Sequence, residues 1–392
     1  MTFFRKRRIY LDYASAPPVL PSAIAAMREA EALLGNPGAI HAEGVAAKKS
    51  LEDSRARIAA LLGCKSRELI FTSGLTEANN LAILGFAKHL ERIKRTLKGT
   101  HWLVSAIEHD SVLGCFAEVE AMGGTVSYLE PDERGLVLPA VVEQALRPET
   151  VFVSVGWANN EIGTVQLLGK TEQVLRKYER ENSTQIVFHS DAGQGPLYLP
   201  TVVSSLGVDL LSLGSNKLYG PHGIGALYVH NRVTLAPVLV GGKQERGLHA
   251  GTETVALAAG FVAAYETIAS ERASEAKRLK KLRDLLAQDL LVQIPGLLVN
   301  GDFSHALPHM LNVSLPNISS EYVTLALDHA GIAISTKSAC REGDESRSHV
   351  VAALGGEKWR AENTLRFSLG RGTKVNDMRR LVSALGSAAV KI

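Results

Sequence analysis

Short apolar runs alternate with helical segments along the chain from about residue 20 to about residue 230. The runs contain few alternating polar positions, which is typical of strands that are buried on both faces. Such strands occur mostly in parallel sheets, because the crossover helices cover both faces of the sheet. The runs are Leu69-Ile70-Phe71, Trp102-Leu103-Val104, Val151-Phe152-Val153, Ile186-Val187-Phe188, Leu210-Leu211 and Ala226-Leu227-Tyr228-Val229. The pattern predicts an α/β fold with a mostly parallel sheet.

The segments between these runs have the spacing of amphipathic helices. In residues 44–63 the side chains Ala47, Leu51, Ile58 and Leu62 recur at intervals of four and seven. This spacing places them on one face of a helix. We therefore predict a helix here that packs its apolar face against the core.

The pattern changes after about residue 251. Residues 254–291 form one long helical pattern, and its charged stretch 271–283 is predicted to be a solvated helix face. Shorter strand-like pieces follow at 311–315 and 364–368, with helical stretches between and after them. The sequence therefore predicts a second, smaller α+β domain.

Charge and hydropathy exclude two classes of protein. The chain has 43 Lys and Arg against 40 Asp and Glu, a formal charge of +3. A dedicated nucleic-acid binder carries a concentrated basic face, so we expect no nucleic-acid partner. No run of about 18 apolar residues occurs, so no membrane span is expected. The basic cluster near the start is followed by Asp12 before any apolar stretch of signal-peptide length.

The three cysteines, Cys64, Cys115 and Cys340, are far apart and odd in number. This arrangement provides neither a disulfide framework nor a CxxC metal site. We therefore predict no bound metal and a reducing, cytoplasmic setting.

Polar or small residues end most of the apolar runs. Ligands of open α/β sheets bind outside the carboxyl ends of the strands, so these endings are predicted to converge on one site. The endings are Thr72-Ser73-Gly74, residues 105–109, Asn159-Asn160, Asp191 and residues 212–217.

Lys217 lies in a Gly-rich turn after one of the runs. A lysine held away from bulk water has a lowered pKa and can form a Schiff base. Taken alone, however, the residue is more simply interpreted as an ordinary loop lysine.

The other endings also allow two interpretations each. Asp191 could pair with the ring nitrogen of a pyridine cofactor or cap a helix. Residues 72–77 could bind a phosphate at a helix N-terminus, or Ser73 and Thr76 could form a capping box. His109 could stack on a flat ring or satisfy a buried polar position. The order and spacing of these signals make them stronger together than singly.

This set of residues resembles the cysteine desulfurases (NifS/IscS-like) of the class-V aminotransferase group, which are pyridoxal-phosphate (PLP) enzymes of fold type I. The resemblance extends over nearly the whole chain. Its motifs are Tyr10-Leu11-Asp12-Tyr13-Ala14, Gly35-Asn36-Pro37 with His41, Phe71-Thr72-Ser73-Gly74 with Thr76-Glu77, Glu108-His109, Asn159-Asn160-Glu161-Ile162-Gly163, Asp191 with Gln194, Lys217 with Tyr219-Gly220-Pro221, Glu245-Arg246-Gly247, Gly251-Thr252, Ser338-Ala339-Cys340 and Arg366-Phe367-Ser368-Leu369-Gly370-Arg371.

The resemblance implies a large PLP-binding domain, residues 14–262, with a mostly parallel seven-stranded sheet. A smaller α+β domain, residues 1–13 and 263–392, would carry the loop with the catalytic cysteine. The resemblance also implies a homodimer.

Roles at the cofactor are implied residue by residue. Lys217 is similar to the Schiff-base lysine that also carries a proton between the substrate and the cofactor. His109 is similar to the residue that stacks on the pyridine ring. Asp191 and Gln194 match the partners of the ring nitrogen and of the phenolic oxygen, and Asn160 matches a residue beside the ring.

The resemblance implies phosphate contacts from Leu75, Thr76 and Ser215. Thr252 matches a residue that reaches the phosphate of the other subunit. Arg366, helped by Asn36, matches the clamp for the amino-acid carboxylate, a task suited to a guanidinium.

Cys340 matches the nucleophile that takes sulfur from L-cysteine. The implied products are L-alanine and a persulfide on Cys340, for transfer to an acceptor protein. Lys337 and Arg341 would favour the thiolate, and the charged surroundings favour this role over an inert core cysteine. Cys64 and Cys115 lie in apolar helical contexts and are predicted to be inert.

The sequence departs from the family pattern near the lysine. Asn216 and Gly214 replace a histidine and a serine, which would shift phosphate contacts toward Ser215. His249-Ala250 replaces an Arg-Ser pair. The sulfur acceptor stays open between iron–sulfur cluster biogenesis, thionucleosides and thiocofactors. A selenocysteine lyase or another β-lyase, and a non-catalytic binding protein with this fold, remain alternatives.

Overall fold

The computed structural model describes residues 7–93, 96–336 and 347–390. The strands are β1 (Ile9–Tyr10), β2 (Leu69–Thr72), β3 (His101–Ser105), β4 (Thr125–Leu129), β5 (Thr150–Ser154), β6 (Val187–Asp191), β7 (Leu210–Gly214), β8 (Gly225–Val229), β9 (Leu298–Val299), β10 (Met310–Ser314), β11 (Ile332–Ala333) and β12 (Thr364–Ser368).

The helices cover both faces of the main sheet and extend beyond it. They are α1 (Pro21–Glu31), α2 (Ala42–Leu62), α3 (Leu75–Arg92), α4 (Asp110–Ala121), α5 (Pro139–Ala145), α6 (Leu168–Asn182), α7 (Val203–Leu206), α8 (Gln244–Gly247), α9 (Val255–Gln293), α10 (Ser320–His329), α11 (His349–Ala353), α12 (Lys358–Glu362) and α13 (Val375–Val390). Among these described helices, none is both long and apolar enough to cross a membrane.

The main sheet has seven strands in the order β2-β8-β7-β6-β5-β3-β4. The pairs from β7 to β4 are parallel, and β8 is antiparallel to both of its neighbours. The predicted fold class, a mostly parallel seven-stranded sheet covered by helices, is therefore confirmed.

Strands of the main sheet bury side chains on both faces. In β5, Phe152 packs with Phe116 of α4, whereas its neighbour Val153 packs in the cluster that contains Leu51 of α2 and Phe261 of α9. Every residue of β2, β3, β5, β7 and β8 is buried. This two-sided burial is the reason that the sequence shows continuous apolar runs.

A smaller three-stranded antiparallel sheet, in the order β12-β10-β9, follows the main sheet in the chain. Strand β1 pairs in parallel with β11, which joins the start of the chain to this later part. The predicted domain boundary at residue 262 falls inside the continuous 39-residue helix α9. The division into two domains therefore stays a prediction.

The charged part of α9 differs from the expectation of a fully solvated face. Arg283 is completely buried. Its Nη1 donates a hydrogen bond to the carbonyl of Leu307 at 3.0 Å, and its guanidinium lies over the ring of Phe303. Its Nη2 also pairs with the Asp284 carboxylate at 2.6 Å. Charge alone predicts solvation, but the carboxylate, the carbonyl and the aromatic ring replace the contacts with water that the arginine loses on burial.

Candidate active site

One cavity of about 430 Å³ lies beyond the carboxyl ends of β3, β5, β6 and β7. Its volume is in the range of small-molecule sites. The structure brings the predicted strand endings together here. The predicted site residues that line this cavity are Leu75, Thr76, His109, Asn160, Asp191, Gln194, Lys217 and Arg366.

Four predicted residues are placed elsewhere or lie outside the description. Ser215 is buried, but it does not line the cavity, and its Oγ faces the backbone of Gly220. Asn36 and Thr252 are exposed and also lie outside the lining. Cys340 lies outside the described residues. The roles of these four residues, like those of the residues that line the cavity, stay predictions.

Lys217 enters the cavity from a 3-10 helix, Ser215–Leu218, that follows β7 directly. The turn ends at Tyr219, which has a φ of +59°, an uncommon value for a residue other than glycine. The Lys217 Nζ donates to the carbonyl oxygens of Ala14 at 3.1 Å and Ser15 at 2.7 Å. The lysine therefore points into the cavity, unlike an ordinary surface-loop lysine.

Asp191 ends β6, and both of its oxygens accept hydrogen bonds. The amide N–H of Gly193 donates to Oδ1 at 2.8 Å, and the side chain of Asn79 donates to Oδ2 at 2.7 Å. Asp191 does not cap a helix, because the 3-10 helix that follows, Gly195–Leu197, has Gln194 as its N-cap. The carboxylate instead makes a local turn contact and lines the cavity, and it can still pair with a cofactor because each carboxylate oxygen can accept more than one hydrogen bond.

Glu108 lines the same end of the cavity and is buried. Burial raises the pKa of Glu108 to about 8, and the nearby charge of Asp191 acts in the same direction. The amide N–H of Gly156 donates to Oε1 at 2.5 Å, which opposes the rise only in part. Burial therefore favours the neutral form of Glu108 beside Asp191.

The N-terminus of α3 forms another wall of the cavity through Leu75, Thr76 and Glu77. The predicted capping box does not form: the N-cap is Gly74, and no side chain among the described residues caps it. Instead, the Glu77 carboxylate accepts a hydrogen bond from the Ser73 amide at 2.7 Å. An uncapped helix N-terminus presents N–H groups and a positive dipole end, which suits a phosphate.

His249 pairs with Glu77 at the same wall, with Nδ1 and Oε1 2.5 Å apart. Burial alone would raise the pKa of Glu77, but hydrogen bonds from His249 and Ser73 outweigh it and lower the pKa. The hydrogen bond to Glu77 raises the pKa of His249. The histidine that replaces the family's arginine therefore gains cationic character here.

Arg366 lies on β12 and is buried. Its Nη2 donates to Asp12 Oδ1 at 2.8 Å and to Ser15 Oγ at 2.7 Å, and its Nη1 donates to the carbonyl of Asn160 at 2.8 Å. Among the described residues, Nε has no hydrogen-bond partner. The guanidinium thus retains donor capacity for a carboxylate inside the cavity.

The residues fit a bound PLP. An amine, a carboxylate, an imidazole and a helix N-terminus, from Lys217, Asp191, His109 and α3, share one cavity. In addition, Oε1 of the buried Gln194 has no partner among the described residues, so this amide can still bond a ligand. The described ranges contain no group of three or more His, Cys, Asp or Glu side chains suited to a metal ion.

Sequence reasoning missed two side chains next to this site, Asn79 of α3 and Ser111 of α4. Asn79 Nδ2 lies 2.9 Å from Ser111 Oγ, which lies 2.9 Å from His109 Nδ1. Asn79 is completely buried. A polar residue at a core position of a helix was the available signal, since such positions are normally apolar.

Comparisons with known proteins agree with this geometry. Residues 9–381 match the family model described as Aminotransferase class-V. The chain is 37% identical over 381 residues to a protein of Dictyoglomus turgidum named cysteine desulfurase IscS, covering 97% of this chain and 94% of the relative.

Solved structures give the same result. A structure titled NifS-like protein superposes with a TM-score of 0.89 at 29% identity, covering 98% of this chain and all of that one. A structure titled SspA in complex with cysteine superposes with a TM-score of 0.78 at 33% identity, covering 92% and 98%. The fold is that of the PLP-dependent enzymes of fold type I. The chain therefore belongs to the class-V aminotransferase family, and within that family it is similar to proteins named cysteine desulfurase.

Proposed function

We propose that the protein is a PLP-dependent cysteine desulfurase that converts L-cysteine to L-alanine and carries the sulfur as a persulfide on Cys340. One observation carries the proposal: a single cavity joins the amine of Lys217, the carboxylate of Asp191 and the buried guanidinium of Arg366. The first two groups suit PLP, and the third suits the carboxylate of an amino acid.

PLP supplies, when bound, an electron sink for the electron pair released at the substrate Cα. Lys217 would hold the cofactor covalently and then move a proton at its Nζ. Asp191 would keep the ring nitrogen protonated, and His109 would cover one face of the ring. The N-terminus of α3 would bind the phosphate through backbone N–H groups.

Arg366 would orient the substrate through its carboxylate. The guanidinium is held by Asp12, Ser15 and Asn160, so its plane is fixed before substrate arrives. A fixed donor array lowers the entropy that binding must remove. The reacting Cα and sulfur of L-cysteine would then have defined positions in the cavity.

Cys340 would take the sulfur. Its thiolate attacks the substrate sulfur, an S–S bond forms and the C–S bond breaks. The electron pair stays on the substrate carbon, which is protonated to the methyl group of alanine. The overall change, thiol plus cysteine to persulfide plus alanine, is balanced without an external oxidant.

Described residues just after the segment with Cys340 support this arrangement. Ser348 Oγ donates to Glu161 Oε2 at 2.5 Å, and His349 Nε2 lies 3.0 Å from the carbonyl oxygen of Glu108. Glu161 adjoins Asn160, and Glu108 adjoins His109, so Ser348 and His349 contact residues beside the cavity.

The proposal includes a homodimer. Three apolar side chains are strongly exposed in the single chain, with Leu34 73%, Ile40 98% and Val240 76% exposed. Burial of such side chains against a second copy is favourable. Thr252 is exposed in its own chain, as a residue that serves a partner's phosphate would be.

A cytoplasmic setting and a role in iron–sulfur cluster biogenesis are also part of the proposal. The cysteines within the described residues, Cys64 and Cys115, are free thiols, which suits a reducing compartment. The relatives' IscS names support the cluster role. A sulfur-acceptor protein would complete the reaction.

The test is to incubate the purified protein with L-cysteine and a thiol reductant, and to measure sulfide and alanine together. Equal amounts of both are expected, and Lys217→Ala should form neither, because its amine holds the cofactor and moves the proton. Sulfide with pyruvate and ammonia would instead identify a β-lyase. Turnover of selenocysteine without turnover of cysteine would identify a selenocysteine lyase.

A further inference from the structure

We propose that Asn79 and Ser111 are positioning residues whose side chains join the Asp191 carboxylate to the His109 imidazole and restrain both groups, with His109 Nδ1 as the acceptor at the end of the chain of hydrogen bonds. The inference rests on the proposed function, since it concerns the residues expected to hold PLP. Asn79 does not line the cavity, so it would act through Asp191 and Ser111.

The orientation of the Asn79 amide follows from the charge of its neighbour. Nδ2 lies 2.7 Å from Asp191 Oδ2. An amide oxygen at that distance from a carboxylate oxygen would be repelled, so the NH2 group must face Asp191. The second proton of the same nitrogen is directed to Ser111 Oγ at 2.9 Å.

The direction of the next hydrogen bond follows in turn. Because Ser111 Oγ accepts from Asn79, its own proton is available to His109 Nδ1 at 2.9 Å. The backbone N–H of Ser111 also approaches Nδ1, at 3.1 Å, and an N–H group can only donate. Nδ1 therefore carries a lone pair, and the proton of the neutral ring lies on Nε2.

The burial of Asn79 indicates that these hydrogen bonds are the reason that an asparagine occupies this position. Asn79 is completely buried, and its Oδ1 has no hydrogen-bond partner among the described residues. A buried amide oxygen without a partner is destabilising, and packing alone would favour an apolar residue like its neighbours Ala78 and Leu81. The two hydrogen bonds that Asn79 donates toward the cavity residues explain its presence.

The chain of hydrogen bonds would restrain both cofactor-facing groups. The Asp191 carboxylate is held at each oxygen, by Gly193 and by Asn79, so it cannot rotate away from a ring nitrogen. The His109 ring is held at Nδ1, so it cannot turn about its χ2 angle without breaking two hydrogen bonds. Loss of this chain of hydrogen bonds should disturb the positions of Asp191 and His109 for the reaction. It should affect the binding of L-cysteine less, because that binding depends on Arg366.

The tautomer is tested on the wild-type holoenzyme, labelled with 15N at histidine, with His109→Gln used to assign the His109 signals. The expected result is an unprotonated Nδ1 and a protonated Nε2. A protonated Nδ1 in the neutral ring would overturn the proposal. This measurement needs no turnover, so it stands even if the desulfurase assignment fails.

The positioning role is tested with Asn79→Leu and Ser111→Ala, alone and combined. Each should lower kcat about tenfold while KM for L-cysteine changes less than about twofold, and the visible absorption band of bound PLP and its pH dependence should shift. The kcat of the double variant should be no lower than that of Asn79→Leu, because both changes interrupt the same chain of hydrogen bonds.

Asn80→Leu is the matched control, because Asn80 follows Asn79 in α3 and, within the part of the chain that the structure describes, its side chain donates to the carbonyl of Thr76 in the same helix. Ser111→Thr keeps the hydroxyl and should retain the wild-type band. Should Asn79→Leu fail to fold, Ser111→Ala and Ser111→Thr still give the comparison. The positioning role would be refuted if Ser111→Ala kept the wild-type kcat and absorption band and could not be distinguished from Ser111→Thr.

Discussion

The Arg366 guanidinium donates to the Asp12 carboxylate, with Nη2 and Oδ1 2.8 Å apart, although the two residues are separated by 354 positions in the chain. The Arg366 side chain is 2% exposed and that of Asp12 is 19% exposed. In the proposed function, a substrate carboxylate would therefore share this guanidinium with an internal anion. Variants of Arg366 and of Asp12 separate the effects of the guanidinium and of the carboxylate on the binding of L-cysteine.

Arg366→Lys should raise KM for L-cysteine about tenfold to a hundredfold, because a lysine cannot replace the planar set of donors. This range corresponds to the loss of about 1.5–3 kcal/mol of charged hydrogen bonding. Steady-state kinetics measure the effect. Arg371→Lys is the matched control, since Arg371 pairs with Glu271 outside the cavity. An unchanged KM in Arg366→Lys would contradict the carboxylate assignment.

Asp12→Asn should have the opposite effect on KM. The amide keeps a hydrogen-bond acceptor for Arg366 but removes the competing negative charge, so KM for L-cysteine should fall by up to about tenfold. The free protein should also be less stable, because a buried guanidinium loses its counter-ion. Asp328→Asn, at the exposed pair with Arg8, serves as control. A rise in KM would mean that Asp12 mainly orients Arg366.

Cys340→Ser should abolish protein persulfide formation while PLP binding persists, because a serine hydroxyl stays protonated near neutral pH. Mass spectrometry after treatment with L-cysteine should place one extra sulfur on the wild-type peptide that contains Cys340. Burial raises the pKa of Cys64 and that of Cys115 to about 12, so neither is a thiolate at neutral pH. Cys64→Ser and Cys115→Ser should therefore keep full activity, and persulfide on either residue would refute the assignment.

The sequence predicts best what depends on neighbouring residues. The sequence predicts strand β5 because both of its faces are buried, which makes Val151-Phe152-Val153 apolar without interruption. It does not predict strand β4, Thr125–Leu129, because this strand lies at the sheet edge and only Leu129 is buried. An edge strand does not need an apolar run.

The candidate site also contains residues that the local sequence pattern predicts and a contact that depends on tertiary packing. Lys217 and Asp191 follow apolar runs, so the strand-end rule predicts their convergence. The bond between Asn79 and Asp191 spans 112 positions. Neither helix propensity nor hydrophobic spacing contains that information, since tertiary packing alone brings α3 against β6. Ser215 illustrates the reverse case, because its position beside Lys217 predicted a cavity contact, but the turn directs its Oγ toward Gly220.

Buried histidines predict how stability depends on pH. Burial lowers the pKa of His309 to about 3, and the charges of Arg366 and Arg283 act in the same direction. The folded protein thus keeps His309 neutral while the unfolded chain binds a proton near pH 6.5. This contribution to stability is fully present above about pH 6.5, and it is lost by about 1.4 kcal/mol per pH unit as the pH falls toward about 3.

His309→Leu should therefore reduce the pH dependence of unfolding between about pH 6 and about pH 4 by about one proton. At about pH 7.5 the variant should be at least as stable as wild type, because neither ring nitrogen has a hydrogen-bond partner among the described residues.

His189 provides the comparison. Burial also lowers the pKa of His189 to about 3, but its nitrogens contact Ser154 Oγ at 2.9 Å and Ser212 Oγ at 3.0 Å. His189→Leu should lose the same pH dependence and, unlike His309→Leu, should be destabilised at about pH 7.5, since two buried hydroxyls lose a partner. Denaturant unfolding at several pH values measures both effects, and equal destabilisation of the two variants at about pH 7.5 would show that His309 has a partner in solution.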